Sequence, residues 1–206
     1  MAKRAGARKA GGTAAAAPTA SIEDRLVDAA LSLAARQGWR HTGLAEIAGE
    51  AGLPLAEAYA ACPSKLALLA AFHRRIDRIA LTGAGDAGEP SRDRLFDTLM
   101  RRFDALAPHR AALRAILRDS LSDPVALLGV PALLCSMAWM LEAAGLSAAG
   151  WRGRMRVNVL ACLYFSMFRV FLDDDSTDLA KTMAALDRGL RRVESWLGAR
   201  SSTAPG

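Results

Sequence analysis

Residues 42–65 read TGLAEIAGEAGLPLAEAYAACPSK. Thr42 or Gly43 opens a short helix through Leu44, Ile47 and Ala48, and Gly52 stops it. Pro54 suits the first turn of a second short helix, where its missing N–H would have no intrahelical partner anyway. That helix ends before Pro63, and Ser64 caps the next one. Two short helices joined by a tight Gly-containing turn predict a helix-turn-helix. Upstream, Ser21 and Asp24 have the spacing of a capping box, with Asp in place of Glu. Ile22, Leu26, Ala29, Ala30, Leu33 and Ala34 then recur at helical spacing as far as Gly38. Downstream, Leu66, Leu69, Phe72, Ile76 and Ile79 continue the helix that Ser64 opens.

The rest of the chain is helical in the same sense. Of 206 residues, 52% are hydrophobic but only 6% aromatic, and the abundant Ala, Leu and Arg favour helix over strand. Further helices are expected from Ser91 to about Ala107, Pro108 to about Ser122, Pro131 to about Ala144, Ser147 to Leu172, and Thr177 to Gly198. The fold class is therefore all-α. A helix-turn-helix domain over residues 21–82 is followed by a helical bundle over 83–199. Disordered tails are expected over 1–20 and 200–206. Residues 1–20 hold +4 of the net +6 and no acid, so the body carries only +2.

Several function classes drop out. Pro124–Leu141 is uncharged, but Pro131 and Gly129 interrupt it, so it reads as buried segments rather than a membrane span. Cys62, Cys135 and Cys162 have no paired spacing and lie in apolar runs, which suggests reduced, buried thiols in a cytoplasmic protein. No secretory leader is read at the N-terminus. His41, His73 and His109 are scattered, and no nucleophile elbow is present. Gly83, Gly85 and Gly88 match a phosphate-loop pattern but follow a helix instead of a strand. Asp173, Asp174, Asp175 and Asp178 lack calcium-loop spacing and read as acids before a helix N-terminus, with Ser176 or Thr177 as cap. No enzyme, cofactor or metal is expected.

The spacing of Thr42, Ile47-Ala48, Ala51-Gly52, Tyr59, Pro63-Ser64-Lys65 and Leu68-Leu69 resembles the N-terminal domain of TetR-type transcriptional regulators over residues 22–76. The resemblance implies DNA as a partner, phosphate contacts from Thr42, Tyr59 and Lys65, and groove contacts from Leu55 and Glu57 on the second short helix. The same side chains have structural alternatives: Thr42 a cap, Tyr59 packing, Lys65 a solvated charge. The chain departs from the family where Pro54, Leu55, Ala56 and Glu57 open the recognition helix and Ala60, Ala61 and Cys62 follow Tyr59. These offer few base-reading donors. Residues 21–82 also balance Arg25, Arg36, Arg40, Lys65, Arg74, Arg75 and Arg78 against Glu23, Asp24, Asp28, Glu46, Glu50, Glu57 and Asp77, a net of zero.

From about Arg92 to Glu194 the chain resembles the lipid-binding accessory proteins of ubiquinone biosynthesis, which share the TetR-type fold. The stretches concerned are Ser136–Gly145, Asn158–Leu172 and Asp174–Glu194. That resemblance implies an apolar pocket for isoprenoid lipid and a vestigial helix-turn-helix. By residue type alone, Met137, Trp139, Met140, Met155, Leu163, Tyr164, Met167, Phe168 and Phe171 are candidates to enclose an apolar small molecule. The alternative is ordinary core. Val157, Leu160, Phe165, Leu163 and Met167 give the last two helices apolar side chains on more than one face, which predicts a homodimer through them.

Overall fold

Apart from one 3₁₀ turn, the regular elements of the computed structural model are α-helices. It describes residues 20–83, 88–120 and 129–197. They are α1 (Ile22–Gln37), α2 (Leu44–Glu50), α3 (Leu55–Ala61), α4 (Lys65–Leu81), α5 (Ser91–Leu106), a 3₁₀ turn (Ala107–His109), α6 (Arg110–Ser120), α7 (Val130–Ala143), α8 (Gly150–Leu172) and α9 (Ala180–Leu197). The all-α reading holds, with element ends moved by a few residues. The expected basic tail falls almost wholly outside the described residues, as do the C-terminal tail, the segment after Pro124 and Gly85.

The sequence signals act through identifiable bonds. The Ser21 hydroxyl accepts the Asp24 N–H at 3.1 Å and donates to the Asp24 carboxylate at 2.7 Å. Glu46 reaches back to the Gly43 N–H at 2.8 Å and fixes the start of α2. Ser64 caps α4 by accepting the Ala67 N–H at 3.1 Å. Gly52 has φ +63°, in the left-handed region that the turn between α2 and α3 requires. The Arg25 guanidinium spans from α1 to this turn, donating to the carbonyls of Ala51 (2.6 Å) and Gly52 (3.2 Å).

Before α9, Asp174 is buried and accepts from the Thr182 N–H at 2.8 Å, the Thr182 hydroxyl at 2.7 Å and the Ser176 N–H at 3.1 Å. Burial pushes its pKa up, but these hydrogen bonds outweigh it and hold the carboxyl well below the usual range. The acidic stretch is thus a cap for a helix start, as its position suggested. Ser176 Oγ also accepts the Ala180 N–H at 3.0 Å.

α4 is the central strut. It packs on α1 on one side and on α5 and α7 on the other, while α1 also packs on α6. Head and body therefore share one continuous apolar core, from Leu26, Ile47 and Phe72 through Leu99 and Phe103 to Met140, Leu160 and Leu186. α9 closes against α8 where Gly189 lies beneath Leu163; a Cβ there would come within 2.5 Å of Leu163 Cδ1. α8 alone among the described helices is long and apolar enough to cross a membrane. It packs on α6, α7 and α9 along one side.

Two sequence expectations need correction. Only Cys62 is buried; Cys135 and Cys162 are exposed on this chain because they fall on the outward sides of α7 and α8. Val157 and Leu160 do not form a surplus outer face: both are buried within the protomer. The outward side of α8 instead carries Trp151, Met155 and Phe165, and Met183 is exposed on α9.

Candidate functional site

The helix-turn-helix presents α3 outward. Leu55 and Tyr59 are 59% and 70% exposed, and Ala56, Glu57 and Ala60 also face solvent. Ala58 turns inward. Thr42 and Lys65 lie apart from this outward face. Thr42 is buried, and its hydroxyl donates to the Gly38 carbonyl at 2.8 Å. The Lys65 ammonium donates to the Trp39 carbonyl and, at 3.1 Å, to the Thr42 carbonyl, and stands 4.3 Å from the centre of the Trp39 ring. Both residues are built into the corner between α1 and α2 that carries the motif. Asp119 on α6 grips the same corner, accepting the Arg40 N–H at 2.9 Å. That bond lowers its pKa, with help from Arg118 and the Trp39 N–H against a smaller burial effect.

Directly beneath the corner lies a cavity of about 490 Å³, within the range of small-molecule sites. Leu69, Leu113, Ile116, Leu133 and Phe168 give it apolar walls, and Trp39, Arg40, Lys65 and Asp119 extend it to the corner. His73 and Tyr164 add polar groups to the lining. Behind them Arg102 is completely buried. Its guanidinium donates to Tyr164 Oη at 3.0 Å and to His73 Nδ1 at 2.9 Å, and pairs with Asp77. Asp77 also accepts the Ser136 hydroxyl at 2.5 Å. Burial, then the Arg102 charge, lowers the His73 pKa to about 3, so the imidazole is neutral.

Of the nine side chains proposed from sequence to enclose a ligand, Tyr164 and Phe168 line this cavity. Met137, Met140 and Phe171 are fully buried core, and Trp139 and Met155 are exposed. Leu163 and Met167 are half-buried against the core without lining the cavity. Most of the lining was missed because α4 and α6 supply it, and they look like ordinary amphipathic helices. Among the described residues no group of three His, Cys, Asp or Glu is placed to hold a metal.

No protein-family model and no curated protein matches the chain. Solved structures do. A TetR transcriptional regulator from Nitrosomonas europaea superposes with TM-score 0.69 at 26% identity, covering 85% of this chain and 99% of that one. One from Rhodococcus sp. RHA1 gives 0.59 at 22%, covering 82% and 95%. Thermus thermophilus FadR, a TetR-family repressor in complex with lauroyl-CoA, gives 0.57 at 21%, covering 89% and 99%.

Proposed function

We propose that this chain, a TetR-type protein by fold, is a ligand-responsive DNA-binding transcriptional regulator. Residues 21–82 form the DNA-facing head and 83–199 the ligand-binding and dimerising body of a cytoplasmic homodimer. One observation carries the reading: Trp39, Arg40 and Lys65 are both cavity wall and the corner that aims α2 and α3. A ligand pressing on these residues acts on the head with no intervening element. By differential affinity for two head positions it would shift DNA binding. The lauroyl-CoA bound by the Thermus thermophilus protein supports an apolar ligand here. Trp151 and Met155, exposed on α8, and Met183 on α9 support a two-fold interface through those helices.

The head supplies little charge of its own, so its DNA affinity rests on residues 1–20 and on backbone N–H groups. The test selects DNA from a random library with the full chain, then measures affinity against salt with and without residues 1–20. Removing four basic residues should weaken binding and flatten the salt slope; an unchanged slope refutes the electrostatic part. Trp151→Glu with Met155→Glu should yield monomers by light scattering, and a dimeric double variant would displace the interface. A second reading, a lipid-binding accessory protein with a non-reading head, is favoured by the outward Leu55, Ala56 and Ala60 on α3. Copurified lipid with no DNA selected by the library would establish it over the first.

A further inference from the structure

His73 and Tyr164 both line the cavity, and each already accepts a hydrogen bond from Arg102. An arginine can only donate. Its bond to His73 Nδ1 therefore makes Nδ1 the acceptor and places the ring proton on Nε2. Its bond to Tyr164 Oη fills an acceptor site there and leaves the phenolic proton to donate. Neither Nε2 of His73 nor the Tyr164 proton has a partner among the described residues. The His73 ring is thus a donor on its free side, and Tyr164 keeps its proton to give, both set in that sense by a buried cation. The cation itself is matched by Asp77, so this end of the cavity adds no net charge. Lys65 is eight residues away on α4, about 12 Å along the helix, and already bonded to two carbonyls.

We infer that the cavity takes an elongated apolar molecule carrying an uncharged carbonyl, as in a ketone, quinone, ester or lactone, with its oxygen between His73 Nε2 and the Tyr164 hydroxyl. This rests on the cavity being the ligand site of the reading above. A protonated amine has no lone pair to accept from either donor. A carboxylate at His73 and Tyr164 would meet only Arg102 as a nearby cation, already matched by Asp77, with Lys65 about 12 Å away along α4, and an unmatched charge taken out of water is costly.

The test titrates the full chain by calorimetry with three probes of equal chain length: methyl decyl ketone, dodecanoate and dodecylamine. The ketone should bind most tightly. Tyr164→Phe removes one donor and should weaken the ketone about five- to tenfold. Because that change also strips the Arg102 Nε of its acceptor, His73→Asn provides the second variant. The Asn carbonyl can still accept from Arg102, but nothing replaces Nε2–H, and a loss of the same size is expected with the apo fold intact by circular dichroism. Dodecanoate or dodecylamine binding more tightly than the ketone overturns the inference. So does a ketone that fails to bind, or one that both variants bind unchanged. DNA selection on the apo chain is read separately. Ketone binding without DNA would leave the inference standing and defeat the regulator reading.

Discussion

The head and the floor of the cavity use the same residue types in opposite ways. In the head, charge lies on the outside and ties helices together: Arg36 to Glu50 at 2.8 Å, Arg74 to Glu23 at 3.1 Å, Arg75 to Asp28 at 2.7 Å. Arg25 serves the turn at Gly52 in the same spirit. Arg25, Arg36, Lys65, Arg74 and Arg75, which a DNA-binding surface could present, are engaged with the chain's own acids and carbonyls, in a head whose acids equal its bases in number. At the cavity floor one arginine is sealed from water, adds to the burial that keeps His73 neutral, and sets the donor sense of His73 and Tyr164. Water screens the first arrangement and not the second. The head's pairs should therefore be nearly dispensable, and the floor's pair critical.

The largest expected effect follows from removing the buried cation. Arg102→Ala would leave the largely buried Asp77 carboxylate with Ser136 but no counter-ion. Breaking one partner of a buried pair costs about 3–5 kcal/mol. Urea unfolding at pH 7 should show a loss of that size. Arg102→Met combined with Asp77→Leu should recover most of it, since no charge is then buried. A single variant less than about 1 kcal/mol destabilised would erase the contrast between the two regions.

Next comes the corner itself, which belongs to both regions. Lys65→Met keeps the apolar stem against the cavity but withdraws a charged donor from the Trp39 and Thr42 carbonyls. Charge-assisted hydrogen bonds are worth about 1.5–3 kcal/mol. A melting curve should show that loss, and hydrogen exchange should rise first at α2 and α3. Exchange that rises uniformly over the body instead would mean that the corner does not hold the head.

Acid sharpens the comparison. Burial and Arg102 lower the His73 pKa from 6.5 to about 3, and burial with Arg75 also lowers that of His109. The group bonded to His73 is Arg102, which in turn holds Asp77 on the same helix as His73 and Tyr164 on α8. Folding keeps the ring neutral where the unfolded chain would protonate it. The associated stability is fully present above pH 6.5 and is lost as pH falls toward 3. From pH 7 to 5 His73 alone should account for about 2 kcal/mol of lost stability. The His73→Asn variant should lose less than wild type by that amount over the same interval. Parallel pH profiles for the two would show that the imidazole is not held neutral.

How much of this the sequence discloses depends on whether a residue acts through its local pattern. Ser21, Gly43 and Ser64 act through neighbours three residues away, and such local caps together with the apolar period located α1, α2 and α4. Arg102 acts through residues 25 to 62 positions distant. A faint signal existed: Leu95, Leu99 and Leu106 set an inward helical stripe on α5, and position 102 falls on it. An arginine on an apolar stripe announces a buried partner, but not which one. The ligand set failed for a related reason. Side-chain size singled out Met137, Trp139 and Met140, whereas the angle around α7 turns Met137 and Met140 into core and Trp139 to solvent.

The smallest expected effect is also the cleanest test of the head. Arg36 and Glu50 are bonded at 2.8 Å, yet their side chains are 57% and 37% exposed. At such exposure solvent screens the attraction and ordering two long side chains offsets much of it. Arg36→Ala should cost less than about 1 kcal/mol, and a double-mutant cycle with Glu50→Ala should give a coupling near 0.3–0.5 kcal/mol. Raising the salt from 0.05 to 1 M should remove most of that coupling, as the screening length falls to about 3 Å, comparable to the separation of the exposed charges. Arg102–Asp77 measured in the same cycle should keep its coupling at both salts. If the Arg36–Glu50 coupling instead exceeded about 1.5 kcal/mol and survived salt, the head would be held by its charges as firmly as the cavity floor. Its neutrality would then be a structural requirement, and adding basic residues to α3 to strengthen DNA binding would have to leave Glu50 paired.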